Sequence, residues 1–469
     1  MTFFKKIFFL FLLTGTSVYG QESDVGQLLV NGKTVSLEQL LQEYIQIPSV
    51  SGNEKAAGDF IRSVCEENGL HITPFGEENG MYNFAASVYP LSDKKPNIVL
   101  LNHIDVVPES EENEFGQFSG KISNGNIYGR GAIDNKGAAV MQLGGIIGFL
   151  KNINTAKSDY NITFLAVSCE ETQCTGGVNY VIENFLDLLN PVLVIGEGPT
   201  ELSTLIGGEF NNPFFAVSVA HKRTLWLHLE LELNGMGHAS ITPLSYANKD
   251  MIEALDRLIS KKPKALYNDV NVNFLKALGS HKKGIESFVL KHPRFFKFLL
   301  MPKLRKQPEI FSLFSNTLTI TNINSHNKAY NIIPEKAEAY LDCRLLPEQD
   351  ENEYLKDLEK TLKNDSIKIT ITGNMPKAKP SSTENIFYHN LEKAIQLNYP
   401  GSETIPVMMP NVSDLGAFRS KGITSFASIP VYLTMKHVES IHNRNEMLPV
   451  KALYDGAQVF CDFISLMME

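Results

Sequence analysis

Cysteine is scarce in this sequence, and two common metal or redox motifs are absent. Five Cys residues occur, an odd number at irregular spacing, so the pattern indicates no disulfide framework and at least one free thiol. Cys169 and Cys174 flank a pair of glutamates, and we interpret them as small buried residues beside a strand end rather than as thiolate ligands or a nucleophile. Neither a CxxC nor an HExxH motif is present, which excludes the metal and redox sites built on those motifs.

The sequence also lacks an excess of basic charge. It has 43 Lys and Arg residues against 52 Asp and Glu residues, for a formal net charge of −9. This balance gives no electrostatic footprint for nucleic acid, so we expect no nucleic-acid partner.

The N-terminal apolar run is too short to cross a membrane as a mature helix. Within residues 1–20, Lys5 and Lys6 precede a short apolar stretch, and small residues follow near Gly20. The pattern predicts a secretory signal peptide, with a retained interfacial anchor as the alternative. We therefore expect an exported protein, periplasmic or secreted, with no stable membrane span once the signal is removed.

Two domains are expected from the length of 469 residues and from a change in pattern near Phe214. From Ser36 to about residue 212, helix-like and strand-like segments alternate, which predicts a mostly parallel sheet with helices on both faces. After Phe214, leucines at every second position from Leu225 to Leu233 indicate an antiparallel sheet with one wet face. The following order β-α-β-β-α-β is the ferredoxin-like pattern.

These patterns predict an α/β fold in which one domain is inserted into another. We assign residues 21–212 and 376–469 to a catalytic domain and residues 213–375 to an inserted α+β lid or dimerisation domain. The insert contains a segment rich in Phe, Lys and Arg at about 286–314. We favour an extra helical excursion that covers the lid, and the alternative is an apolar lip for a hydrophobic substrate or a membrane surface.

Three apolar runs of the first domain end in residues that bind metals. NIVLLNHID contains His103 and Asp105, YNITFLAVSCEE ends in Glu170 and Glu171, and NPVLVIGE ends in Glu197. Buried parallel strands collect ligands at their carboxyl ends. Four carboxylates and an imidazole gathered there would repel and lose hydration unless a cation neutralised them. The sequence therefore predicts a divalent metal centre.

The spacing of these residues suggests distinct roles. Asp105 lies two residues after His103, on the same face of the strand, so its carboxylate can accept the second ring N–H and orient the imidazole. Asp134 of GRGAIDNKG precedes a helix, and its two oxygens can bridge two cations. Glu170 and Glu171 point in different directions in an extended chain, so one can ligate a metal while the other acts as a base.

Six motifs, in chain order, resemble the acetylornithine deacetylase, succinyl-diaminopimelate desuccinylase, aminoacylase and carboxypeptidase family of di-zinc hydrolases. They are HIDVVP, GRGAIDNKG, EETQCTGG, GEG, GMGHASITP and IHNRNE. The nearest similarity is to the carboxypeptidase S-like branch. The resemblance implies two Zn²⁺ ions, with Co²⁺ or Mn²⁺ as possible substitutes. It also implies a cis peptide bond between Asp134 and Asn135.

The resemblance also assigns roles to individual residues. His103, Asp134 and Glu197 would bind one zinc, and Asp134, Glu171 and His442 the other. Glu170 would be the general base and Asp105 the residue that orients His103. His442 is preferred over His437 because Asn445 and Glu446 follow it, as an Asn/Asp-Glu pair follows the family's histidine.

Further roles fall on the inserted domain and on a late turn. His238 resembles the family's oxyanion donor, which in dimeric members reaches the partner subunit's active site. Arg344 and Asn331 match positions that hold a substrate carboxylate or carbonyl, although Arg344 could equally form a salt bridge with Asp342. Ser413 and Asp414 match a turn near the substrate, while residues 409–411 lack the glycines usual there.

The resulting hypothesis is an exported di-zinc hydrolase that cleaves an amide bond next to a free carboxylate. Its substrate would be a small peptide or an N-acyl amino acid, attacked by water activated between the two metals with Glu170 as general base. A homodimer through the lid domain is one expectation, and a monomer whose enlarged insert closes over its own site is the alternative. The alternatives are a deacylase of fatty-acyl amino acids and a catalytically silent binding protein on the same fold, against which the complete ligand set argues.

Overall fold

A computed structural model describes residues 24–109, 113–152, 158–203, 212–233, 237–325, 327 and 329–468. The predicted signal peptide lies outside these residues. Within them, no helix combines the length and the apolar character needed to cross a lipid bilayer.

The described residues form two main sheets with helices packed around them. In chain order the strands are β1 (Gln27–Val30), β2 (Lys33–Ser36), β3 (His71–Glu78), β4 (Met81–Ser87), β5 (Asn97–His103), β6 (Lys121–Ser123), β7 (Asn126–Tyr128), β8 (Asn161–Val167), β9 (Pro191–Gly196), β10 (Phe214–His221), β11 (Arg223–Glu232), β12 (Thr317–Asn324), β13 (Lys336–Leu345), β14 (Lys368–Asn374), β15 (Glu403–Met409), β16 (Thr424–Ala427) and β17 (Met447–Pro449). The helices are α1 (Leu37–Ile45), α2 (Lys55–Glu67), α3 (Lys136–Asn152), α4 (Val178–Leu189), α5 (Ala247–Ser260), α6 (Asp269–Ser280), α7 (Gly284–Lys291), α8 (Lys297–Leu304), α9 (Pro308–Ser312), α10 (Glu351–Leu362), α11 (Ile386–Asn398), α12 (Leu415–Ser420), α13 (Met435–Val438) and α14 (Val450–Met468).

The larger sheet has the strand order β15-β10-β16-β9-β5-β8-β4-β3. Its centre is parallel, because β16 pairs with β9, β9 with β5 and β5 with β8 in the same direction. Antiparallel pairs join β8 to β4, β4 to β3 and β10 to β16. The prediction of a mostly parallel sheet thus holds for the centre, and the whole sheet is mixed.

Local sequence explains why the helices next to this sheet begin and pack where they do. Ser36 and Gln39 form a capping box at the start of α1, which satisfies backbone N–H groups that the first turn leaves open. Helix α3 is apolar on nearly all sides and lies against α14. A Cβ atom at Gly145 of α3 would come within 2.6 Å of the Phe460 Cβ atom, so glycine is what permits this close approach.

The smaller sheet has the order β12-β13-β11-β14, and all of its neighbouring strands are antiparallel. The alternating leucines of β11 are buried on one face with residues of helices α5 and α10. This is the β-α-β-β-α-β arrangement that the sequence predicted. The expected domain boundary at residue 213 is too early, however, because β10 lies in the larger sheet. Every residue of β10 is buried, as expected for an interior strand rather than a half-exposed one.

The Phe-rich segment forms the short helices α7 to α9, which follow α6. Phe274 and Leu278 of α6 pack with Phe214, Ile405 and Val407 of strands β10 and β15. Helix α6, against which the Phe-rich segment packs, therefore lies on one face of the last two strands of the larger sheet, whereas we expected the segment to cover the smaller sheet.

Candidate metal centre

Three neighbouring parallel strands bring the predicted ligands together. Strands β9, β5 and β8 lie side by side, so their carboxyl ends meet at one edge of the larger sheet. His103 is the last residue of β5, Glu170 and Glu171 follow β8, and Glu197 follows β9. The position of the site follows directly from the sheet topology.

His103 is the buried centre of this group. Its Nδ1 atom lies 2.9 Å from the backbone carbonyl oxygen of Asp105 and 3.5 Å from a carboxylate oxygen of the same residue. Its Nε2 atom lies 3.0 Å from Asp134 Oδ1 and 3.2 Å from Glu197 Oε2. The ring is thus oriented mainly through the Asp105 carbonyl, and Nε2 is directed between two carboxylates.

The Asp105 carboxylate has a second task, which is to hold the loop that follows β8. It accepts hydrogen bonds from the Ser51 hydroxyl at 2.7 Å and from the backbone N–H groups of Glu170 and Glu171, each at 3.1 Å. Burial would raise the pKa of Asp105, but hydrogen bonds with His103 and Ser51 outweigh it and lower the pKa. Asp105 therefore stays ionised and fixes two residues of the site at once.

Asp134 lies between two histidines. Its Oδ1 atom faces His103, and its Oδ2 atom lies 3.1 Å from His442 Nε2. The same His442 nitrogen lies 3.0 Å from Glu171 Oε1. The Asp134–Asn135 peptide bond is cis, as the resemblance implied. His437, the rejected alternative, instead caps its own short helix and contacts Asn126.

Glu446 supports the loop that carries Asp134, a role that the sequence patterns did not reveal. Its buried carboxylate accepts hydrogen bonds from the backbone N–H groups of Gly131, Ile133 and Asp134 and from the Arg130 guanidinium, at 2.9–3.1 Å. Residue 446 was singled out only as the neighbour that distinguishes His442 from His437. Glu446 belongs to the IHNRNE motif but has no assigned ligand role, and this was the signal in the sequence for a residue that supports the ligands.

The electrostatics of the site suit bound cations. Burial and the nearby Asp134 charge raise the pKa of Glu197 to about 8, and burial together with Glu197 raises that of Glu170. Possible ligand atoms of His103, Glu170 and Glu197 lie within 4.8 Å of one another, as do those of His103, Asp134 and Glu171. Carboxylates this close and this buried repel one another, and two divalent cations held among them would remove that repulsion.

A third group of possible ligands lies on the outer face of the smaller sheet. It consists of His228, Glu230 and Glu338. The Lys336 ammonium group pairs with both of these glutamates. One ammonium group thus offsets part of the charge of the two glutamates, and we assign no metal to this group.

The two cysteines beside the glutamate pair form a disulfide bond, contrary to the expectation of no disulfide. Cys169 and Cys174 are joined across a turn whose Cα–Cα span is 5.4 Å. Cys169 and Gln173 both have positive φ angles, which fold the chain back on itself. Cys65, Cys343 and Cys461 are free and buried. The disulfide closes the loop that carries Glu170 and Glu171.

Ser413 and Asp414, which the resemblance matches to a turn near the substrate, lie beside the candidate metal ligands. Together with Glu170 and Glu197 they line a small cleft. Burial raises the pKa of Asp414 to about 7. The Ser413 hydroxyl lies 3.2 Å from His221 Nε2, and the other ring nitrogen of His221 contacts the buried Arg419 guanidinium. Sequence reasoning missed His221, which carried no motif.

The predicted residues of the inserted domain lie apart from this cleft. His238 is exposed, with its Nδ1 atom 2.7 Å from the Ser240 hydroxyl. It is adjacent to Asn331, whose carbonyl accepts the Ala239 N–H at 2.9 Å. Arg344 forms a bidentate pair with Asp342 at 2.7 and 2.8 Å, which is the salt bridge considered as its alternative role. Among the described contacts, none joins these three residues to the metal centre.

Comparisons with known proteins show which protein family this chain resembles. Peptidase family M20/M25/M40 matches residues 99–466. The N-fatty-acyl-amino acid synthase/hydrolase PM20D1 of Xenopus tropicalis is 24% identical over 441 residues, covering 91% of this chain and 85% of the relative. The probable carboxypeptidase S-like 2 of Dictyostelium discoideum is 24% identical over 367 residues, covering 77% and 70%.

A solved structure shows the same fold. The M20 family metallo-carboxypeptidase Sso-CP2 from Sulfolobus solfataricus superposes with a TM-score of 0.68 at 21% identity, covering 92% of this chain and 99% of that one. With the family match spanning most of the sequence and the strand-end carboxylates gathered around His103, this chain belongs to peptidase family M20/M25/M40.

Proposed function

We propose that this metallohydrolase is exported and cleaves an amide bond adjacent to a free carboxylate, in a small peptide or an N-acyl amino acid. The observation that carries the proposal is the Asp134 carboxylate between His103 and His442, with Glu197 and Glu171 beside it. The N-terminal pattern and the Cys169–Cys174 disulfide, a bond typical of oxidising compartments, support export.

Each residue of the centre has a task in this proposal. His103, Asp134 and Glu197 would hold one cation, and Asp134, Glu171 and His442 would hold the other. When bound, two divalent cations polarise the scissile carbonyl and lower the pKa of a water from about 15.7 toward about 7. Glu170 takes the proton of the attacking water and passes it to the leaving amine. Its pKa, raised by burial, suits a base that must later act as an acid.

Substrate selection is assigned to residues around the cleft. Ser413 and Asp414 line the cleft and contact the bound substrate. Arg344 and Asn331 reach the substrate carboxylate or carbonyl when the inserted domain closes. Arg344 then exchanges its pairing with Asp342 for the substrate carboxylate, to which its planar guanidinium is equally suited.

A second candidate is hydrolysis of N-fatty-acyl amino acids. It is favoured by the PM20D1 relative, whose name specifies such compounds and which aligns with 91% of this chain. The two candidates share the metal chemistry and differ only in the acyl group.

The test is a hydrolysis screen with the purified full chain, with Zn²⁺, Co²⁺ or Mn²⁺ added. Dipeptides and N-acetyl to N-oleoyl amino acids are compared with the same compounds carrying a C-terminal amide. We expect turnover of at least one free-carboxylate series and loss of turnover in its amide. Stoichiometric zinc with no turnover in any series would contradict the proposal and favour a silent binding protein.

A further inference from the structure

The short helices after α6 expose an unusual number of large apolar side chains. Ile285, Phe288, Phe295, Phe298 and Leu299 have exposed fractions of 83%, 56%, 74%, 64% and 48%. Scattered exposed apolar residues are normal, but a contiguous group of them marks an interaction site.

Ring contacts join the aromatic members of this group into one patch. Phe296 lies 5.5 Å from Phe288, 4.8 Å from Phe295 and 6.4 Å from Phe298, measured between ring centroids. The four rings therefore belong to one continuous surface that spans α7, α8 and the turn between them.

The core of this region does not require these exposed rings. Helix α8 already buries Leu300 and Leu304 in a cluster with Leu275 and Phe314. On the same helix, Phe298 and Leu299 face solvent. The excursion is thus apolar on its inner face, for packing, and again on its outer face, where the structure gives it no partner among the described residues.

Charge separates the patch from the rest of the chain. Residues 282–306 contain eight Lys or Arg residues and one Glu, a formal charge of +7, and the remainder of the chain carries −16. The basic residues are Lys282, Lys283, Lys291, Arg294, Lys297, Lys303, Arg305 and Lys306. Seven of them are exposed, and Lys282 is half-buried. Positive charge is therefore concentrated around the exposed rings.

We propose that residues 282–306 form a docking surface for an anionic lipid bilayer. Helices that bind in the interfacial plane combine outward Phe or Leu side chains with surrounding Lys and Arg. The rings insert at the boundary between headgroups and acyl chains, and the basic side chains contact anionic headgroups. A nucleic acid would engage the charge but leave Ile285 and Leu299 without a role. Anionic lipid satisfies both features, and the inference does not depend on the proposed substrate.

Vesicle flotation with the full chain tests the proposal. The vesicles contain phosphatidylethanolamine with about 30% phosphatidylglycerol as the anionic lipid, or phosphatidylcholine alone. We expect binding to the anionic vesicles, little binding to phosphatidylcholine, and weaker binding as salt rises because charge contacts are screened. Equal binding to both vesicle types, or binding to neither, would overturn the proposal.

Paired variants assign the binding to this surface. Phe295→Ser with Phe298→Ser, and separately Lys297→Glu with Lys303→Glu, should each lower vesicle affinity about tenfold or more. The matched controls are Ile252→Ser with Ile259→Ser on α5, which are similarly exposed, and Lys356→Glu with Lys360→Glu on α10. The controls should bind like the unchanged chain. A loss of affinity in controls and test variants alike would contradict the assignment.

Two further measurements distinguish other occupants of the patch. Circular dichroism and turnover of a small water-soluble substrate should be unchanged in all four variants, which verifies folding. Light scattering should give the same mass for the unchanged chain and the Phe295/Phe298 variant. If that variant instead converts an oligomer to a monomer and vesicle binding is absent, the patch is an interface between copies and the lipid proposal fails.

Discussion

Asp134 is the residue on which both halves of the proposed metal centre would depend, because each of its two oxygens faces a different histidine. Its carboxylate also lies beside Glu197, whose raised pKa reflects the negative charge of Asp134. A side chain that faces two partners at once cannot be replaced by any one of its neighbours.

Replacing Asp134 with Ala should therefore remove both metals and all activity. Replacing Glu197 with Gln should weaken mainly the metal next to His103. Metal analysis after gel filtration measures both outcomes. Two tightly held zinc ions in the Asp134→Ala protein would show that Asp134 is not the shared ligand.

Glu170 and Glu171 provide a sharper comparison, since they are adjacent and chemically identical. Glu170→Gln should lower kcat by about 10²-fold or more while metal content and folding stay intact, because a general base contributes about 10²–10⁴-fold. Glu171→Gln should instead lose one metal. The readouts are kcat and metal stoichiometry for the two proteins. Near-normal turnover in Glu170→Gln would assign the base elsewhere.

At the scale of secondary-structure elements, the sequence predicted best where a strand is buried and ends in a charged residue. The ends of β5, β8 and β9 were predicted because uninterrupted apolar runs stop abruptly at His103, Glu170 and Glu197. Strands β3 and β4 were missed. The β3 sequence HITPFGEE contains Pro74 and Gly76 and gives no clear alternation. The domain boundary was placed early because β10 directly precedes the alternating β11 in the chain.

The loop between β8 and α4 carries a consequence that its sequence did not predict. Whether Cys169 and Cys174 meet depends on the backbone reversal between them, which spacing alone does not reveal. The disulfide closes the loop that places Glu170 beside Glu197 and Glu171 beside His442. Opening this loop should therefore affect both stability and catalysis.

Replacing both cysteines with Ser should lower the free energy of unfolding by about 2 kcal/mol, the chain-entropy value for a loop of about six residues. It should also lower kcat, because the loop would hold its two glutamates less firmly. Urea denaturation and steady-state rates measure these effects. As a control, dithiothreitol should slow the unchanged enzyme and leave the double variant unaffected. No response of the unchanged enzyme to dithiothreitol would refute a role for the disulfide in catalysis.

At the scale of the whole molecule, the candidate metal ligands lie together in the structure, whereas the candidate substrate contacts of the inserted domain lie apart from them. The metal-centre residues are fixed by one sheet and its loops, so adjacent strands suffice to bring them together. His238, Asn331 and Arg344 lie on the inserted domain, and their distance from the centre depends on how that domain is oriented. In the structure, the backbone N–H of Ala239, next to His238, donates a hydrogen bond to the Asn331 carbonyl oxygen. Arg344 pairs with Asp342. Motif order carries no information about such an orientation.

A second copy of the chain is one way to bring His238 to the metal centre. Strands β12 and β14 form the edges of the smaller sheet, and Ile323 on β12 and Ile371 on β14 are exposed there, so either edge is open to pairing with another copy. If His238 acts across such an interface, each active site takes Glu170 from one chain and His238 from the other. Two inactive variants would then complement each other.

Co-expression of Glu170→Gln with His238→Ala should therefore restore activity that neither variant has alone. A mixed dimer contains one site with both residues intact, so recovery is bounded by the fraction of mixed dimers. Co-expression is required because assembled dimers exchange subunits slowly if the interface is extensive. Differently tagged chains, purified through both tags, give that fraction, and kcat per mixed dimer gives the recovery.

The matched control is co-expression of Glu170→Gln with Asp134→Ala. In that mixed dimer one site lacks Glu170 and the other lacks Asp134, so no intact site is left. A monomer by light scattering, with no recovered activity on co-expression, would instead mean that each inserted domain closes over its own metal centre.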